Sequence, residues 1–123
     1  ILLKTLLNEV LTLFKSCNLL LLSEDRITQE GNYLLFSSMR SKEESYREYE
    51  LKIYVAGNSL NKDGSSIFLR IEEILELCSK HRANALSCVN ASLMSWEKVG
   101  LFTQTNGLFV YEITLNLKTR RKQ

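Results

Sequence analysis

The sequence contains no proline, and only five glycines punctuate its 123 residues. Those shortages exclude a proline-rich linker, a collagen-like repeat and a low-complexity tract. No self-similarity appears at solenoid or propeller periods. Histidine occurs once, as His81. A zinc site needs clustered cysteine and histidine ligands, and a catalytic nucleophile needs a base and an orienting group within reach. The chain shows neither pattern. Its three cysteines, Cys17, Cys78 and Cys88, form no C-x-x-C pair. An odd, scattered set reads as reduced thiols in a reducing compartment, not as a disulfide framework. Charge of one sign is also scarce. Sixteen basic residues against fourteen acidic ones leave a net charge of +2, well short of the strongly basic face of a dedicated nucleic-acid binder.

What is present is ordinary for a globular protein: 45% apolar and 24% charged residues. The length fits one domain, residues 1–123, with room for a real core. Residues 1–14 are leucine-rich, which invites a signal-peptide reading. Lys4, Asn8, Glu9 and Lys15 interrupt that run, no small-residue cleavage site follows, and it is too short and polar to span a bilayer. Instead Leu3, Leu6, Leu7, Val10 and Phe14 fall at the spacing of a helical stripe. The expectation is an amphipathic first helix in a soluble, cytosolic protein with no membrane partner.

Strands are expected at 18–22 and 33–38, and at 49–56, where Tyr49, Leu51, Ile53 and Val55 alternate with Glu50, Lys52, Tyr54 and Ala56. After a loop at 58–66, Ser65 or Ser66 caps a second helix. Its buried face is Ile67, Phe68, Ile71, Ile74, Leu75 and Cys78. Two more strands are expected. One is 88–96, with Val89, Ala91 and Leu93 on one side, and the other is 109–118, with 100–107 as a loop between them. Residues 118–123 are expected to form a flexible basic tail. The order αβββαββ points to an α+β fold. Its sheet would be mixed, mainly antiparallel and of about five strands, with both helices on one face. The other face must then be solvated or covered by a neighbouring subunit.

The chemistry-bearing residues all favour plain roles. His81 reads as a charge near a helix C-terminus, Cys78 as an inert buried thiol, and Glu72, Glu73 and Glu76 as a solvated face. Gly57 and Gly64 stand seven apart with neither a P-loop nor a G-x-G-x-x-G around them. No catalytic, metal-binding or cofactor-binding residue is nominated, and the expectation is a protein that binds other surfaces and is not an enzyme. Residues 40–48 are polar and read as a solvated hairpin tip. Arg40, Lys42, Glu43, Glu44, Tyr46 and Arg47 are its candidate protein interface, since tyrosine and arginine are enriched at interfaces. In the basic tail, Arg120, Arg121 and Lys122 are candidates for contact with an acidic partner.

One series of elements carries a resemblance. A strand at 49–56 is followed by a polar loop with Gly64 and a helix opening Ser66, Ile67, Phe68. A variable strand pair then closes on Leu108, Phe109, Val110, Tyr111, Glu112, Ile113. This arrangement, over residues 2–120, resembles the tail-terminator or tail-completion proteins of long-tailed bacteriophages, most of all the Mu-like prophage branch. The resemblance implies a small α+β subunit that closes into a homo-oligomeric, commonly hexameric ring, caps the tail tube and prepares the tail for the head. Its partners would be further copies of itself, the tail tube protein and a head–tail connector protein. Its place would be the bacterial cytoplasm during assembly and then the virion tail. The family has no catalytic residues to carry over. The competing expectation is a small nucleic-acid-binding module using the open sheet face and the basic tail.

Overall fold

A computed structural model describes residues 2–43, 45–60, 66–105 and 107–120. The chain forms helix α1 (Leu2–Leu13), a 3-10 turn (Lys15–Cys17), β1 (Leu19–Leu21), β2 (Gly31–Glu43) and β3 (Tyr46–Gly57). Helix α2 (Ile67–Lys80), β4 (Ala91–Thr105) and β5 (Leu108–Arg120) follow. The fold is α+β with the expected element order. The five strands build one sheet in the order β1-β2-β3-β5-β4. Only the β1–β2 pair is parallel; the other three pairs are antiparallel.

The alternation of β3 and β5 sorts the two faces. Tyr49, Leu51, Ile53 and Val55 share one side with Ile113, Leu115 and Leu117, and all are buried. Leu6, Val10 and Phe14 from the first helical segment and Ile67, Ile71, Ile74 and Cys78 from α2 enter the same cluster. Both helices therefore cover one sheet face. Ser66 caps α2, its hydroxyl accepting from the Leu69 N–H at 3.3 Å; the alternative cap Ser65, like Gly64, lies outside the described residues. Phe68, expected on the buried face, is exposed instead. It sits in the first turn of the helix, where it meets the Tyr111 ring edge-on at 6.0 Å.

Three expectations about the strands are corrected. Residues 40–48 form the far end of a hairpin, but its strands reach beyond the expected 33–38 and 49–56: β2 runs to Glu43, β3 starts at Tyr46, and Arg40↔Glu48, Ser41↔Arg47 and Glu43↔Tyr46 are register partners. Mixed charges are compatible with a strand when opposite signs face each other across it. Residues 100–107 are mostly strand as well, since β4 continues to Thr105 and turns tightly through Gly107, whose φ of +78° suits glycine. Residues 118–120 are not a flexible tail: β5 extends to Arg120 and Thr119 is buried.

The faces of β4 also differ from expectation. Leu93 is exposed, whereas Ser92 and Met94 are buried. The register on β5 sets this: Ser92 and Met94 lie opposite the buried Thr119 and Leu117, and Leu93 opposite the exposed Lys118. Met94 N–H donates to Arg82 C=O at 2.7 Å and Asn84 N–H to Ser92 C=O at 2.8 Å. Residues 82–84 thus lie along the start of the outer edge of β4.

Candidate functional site

The far end of the β2–β3 hairpin carries the residues that the sequence nominates for an interface. Arg40, Lys42, Glu43 and Tyr46 are exposed there and Arg47 is half-buried; Glu44 lies outside the described residues. Arg40 Nε donates to Glu48 Oε2 at 3.1 Å. The Arg120 guanidinium stands over the Tyr46 ring at 5.2 Å, because Tyr46 and Arg120 are register partners. The nominated hairpin and the nominated tail are therefore one surface. Among the described residues of this end, Arg40, Lys42, Arg47, Lys118 and Arg120 outnumber Glu43 and Glu48, so its described part is basic. Arg121 and Lys122 lie outside the described residues.

Further along, the sheet face away from the helices is polar and internally paired. Lys52 Nζ donates to Thr114 Oγ1 at 2.8 Å and to Glu112 Oε1 at 3.3 Å, with Glu50 Oε2 at 4.0 Å. Ser37 Oγ donates to Glu50 Oε2 at 2.8 Å. The Tyr54 hydroxyl is pushed up to about 12 by burial, by its hydrogen bond to Glu112 and by the charge of that carboxylate. Opposite charges on adjacent strands satisfy one another here, so the centre of this face is furnished for water.

At the other end the same face is apolar and concave. Tyr54, Ala56 and Val110 form a second small cluster with Leu22, Ile27, Tyr33, Leu35 and Leu108 against it. The connection 22–30 overhangs this cluster, and the Phe102 ring meets Tyr54 edge-on at 5.0 Å. Between them lies an open pocket of about 990 Å³, with Leu35, Tyr54, Phe102 and Val110 lining it together with the polar Asp25, Arg26 and Glu30. Such a surface suits an apolar group with a polar collar. Among the described residues, no group of three or more His, Cys, Asp and Glu stands close enough to hold a metal ion.

The two free margins of the sheet are the remaining candidates. The β1 margin exposes Leu20 (61%) and Leu21 (48%). The β4 margin exposes Leu93, Trp96 (45%), Leu101 (54%) and Phe102 (57%). Neither margin was nominated from the sequence. The apolar run at 19–22 signals only a strand, and which strands end at an edge depends on pairings that no local pattern encodes. No protein-family model and no curated protein matches the chain.

Proposed function

We propose that the chain is a structural assembly subunit of the phage tail-terminator kind. It closes with copies of itself into a ring that caps the tail tube and readies it for the head. The observation that carries this reading is the concentration of exposed leucine, tryptophan and phenylalanine on the two opposite margins of one sheet. Large apolar side chains exposed along the margins of a small protein are candidates for a place of association. Surfaces on opposite sides of a subunit, used head to tail, generate a ring when the rotation closes. The basic β2–β3 end is then left to meet a second, acidic component, which fits a contact with the tube or the connector.

The test is solution mass by light scattering over a range of concentrations, followed by negative-stain imaging. A closed ring, hexameric on the family resemblance, is the expected species. Its addition to polymerising tail tubes from the same genome should stop elongation. Tubes that lengthen unchecked in its presence would remove the terminator reading. The basic end also favours a second reading, nucleic-acid binding. That reading predicts affinity for a DNA or RNA oligonucleotide that falls steeply with salt and is lost in an Arg40→Ala/Arg47→Ala/Arg120→Ala variant.

A further inference from the structure

The exposed apolar side chains on the margins are set in charge of opposite sign. The connection that leaves β1 carries the exposed Glu24 and Asp25 against one cation, Arg26, while the Glu30 carboxylate accepts from Asn58 N–H and faces Arg70. The β4 margin carries the exposed Arg82 and Lys98 against one carboxylate, Glu97. Arg82 is held there by the hydrogen bond between its carbonyl and Met94 N–H. Each margin would repel its own likeness and attract the other. The β4 edge is also ill-suited to pairing with itself. Residues 82–84 occupy its start, and register shifts between Trp96 and Lys98 and between Leu101 and Thr103 interrupt the rest. Bulges and lysines of this kind are devices that blunt an edge against simple strand addition. What remains usable on β4 is its side chains: Trp96, Leu101 and Phe102 as apolar anchors, with Arg82 and Lys98 as a charged rim.

We propose that these two margins are the two halves of one interface, the β4 margin of one copy docking on the β1 margin and the connection 22–30 of the next. The inference rests on the self-assembly part of the reading above and specifies its contact. The apolar side chains supply the buried centre. The acidic connection and the basic β4 margin set direction and exclude the β4-to-β4 and β1-to-β1 alternatives. A heterologous contact of this kind uses a different surface on each side, so an open assembly keeps one free β4 margin and one free β1 margin, at its two ends, until the ring closes.

Charge reversal tests this directly, since all the residues involved are exposed. One variant carries Arg82→Glu and Lys98→Glu, which makes both margins acidic. A second carries Glu24→Lys and Asp25→Lys, which makes both basic. Each alone should lose association by about tenfold or more, as like charges now face each other. Mixed in equal amounts, the two should assemble again, and a chain carrying all four substitutions should assemble by itself. Unchanged melting curves would establish that each variant is folded. The proposal is overturned if the mixture stays dissociated, or if the native chain is monomeric at every concentration. It is also overturned if a dimer is found in which Lys98→Glu is rescued by Glu97→Lys in the same chain, the signature of β4 pairing with itself. If the mixture assembles but leaves tail tubes growing, the contact stands and the terminator reading falls. If each singly reversed variant caps tubes as well as the native chain, the reading stands and the contact falls.

Discussion

Single residues show where the chain is fully satisfied and where it is not. Asn32, buried on β2, donates to Cys17 C=O at 2.7 Å and accepts from Arg70 Nη1 at 3.0 Å, tying the turn after α1 to the sheet and to α2. Tyr49 is the contrary case. Its ring is buried, and among the described residues its hydroxyl has no hydrogen-bond partner. A buried unpaired hydroxyl costs about 1–3 kcal/mol, so Tyr49→Phe is expected to be neutral or to stabilise by about 1 kcal/mol, read as a raised denaturant midpoint at unchanged m-value. Glu9 carries a pH prediction. Burial pushes its carboxyl up, but hydrogen bonds from Ser87 Oγ, Ser87 N–H and Cys88 N–H outweigh that, and it lies below its ordinary value of 4.5. A carboxyl lowered by folding contributes stability above its unfolded pKa and loses it as pH falls through the folded one. Stability should therefore decline on acidification below about pH 4.5, and Glu9→Gln should flatten that part of the profile in pH-resolved unfolding. A profile unchanged by the substitution would mean that Glu9 does not hold the loop at residues 87–88.

At the scale of elements, the approach of α2 to β3 depends on a missing side chain. A Cβ at Gly57 would stand 2.5 Å from Arg70 Nη2 and 3.0 Å from Ile67 Cγ1, and Arg70 Nη2 is itself donating to Ala56 C=O at 2.7 Å. Gly57→Ala must therefore displace the guanidinium and push the Ile67 side chain by a few tenths of an ångström. A cost of about 1–3 kcal/mol is expected in chemical denaturation. Elements were also what the sequence disclosed best. Period-two alternation in residues 49–56 and 109–118 and the 3.6-residue stripe from Ile67 to Cys78 come from burial on one face, and burial is written locally. The hairpin tip at 40–48 was legible, but the reach of its strands was not, because mixed charges hide a ladder until Arg40 is seen facing Glu48 across it. In β4 the inward face was misassigned because the register that sets Met94 opposite the buried Leu117 is a long-range pairing with no local mark. The same reason hid the site. The Lys52–Glu112–Thr114 network and the margin residues Leu20, Trp96 and Phe102 acquire meaning only from strand order.

For the whole molecule, one core serves both helices and the sheet, and its thiols report on its integrity. Cys78 is pushed up to about 12 by burial and by the nearby Cys17. Burial and the Glu73 charge raise Cys17 as well. Both are buried, whereas Cys88 is partly accessible. Because the thiolate is the reacting species, a thiol reagent at pH 8 should modify Cys88 first. Cys17 and Cys78 should follow only at the rate of opening of the core. Rapid labelling of all three would show that α2 opens without global unfolding.

The strand order has one more consequence, for synthesis. β5 is the last strand in the chain, yet it lies between β3 and β4 and supplies Ile113, Leu115 and Leu117 to the centre of the core. A ribosome therefore makes β3 and β4 before the strand that pairs with both of them exists. Until β5 emerges, the β2–β3 hairpin and the apolar face of α2 have no completed sheet to fold against. The sheet is thus completed late, once residues 108–120 are made and the strand between β3 and β4 becomes available. Chaperone demand should peak just before that moment, and ribosome-bound chains stopped at residue 107 should be protease-sensitive throughout where those released past residue 120 are not.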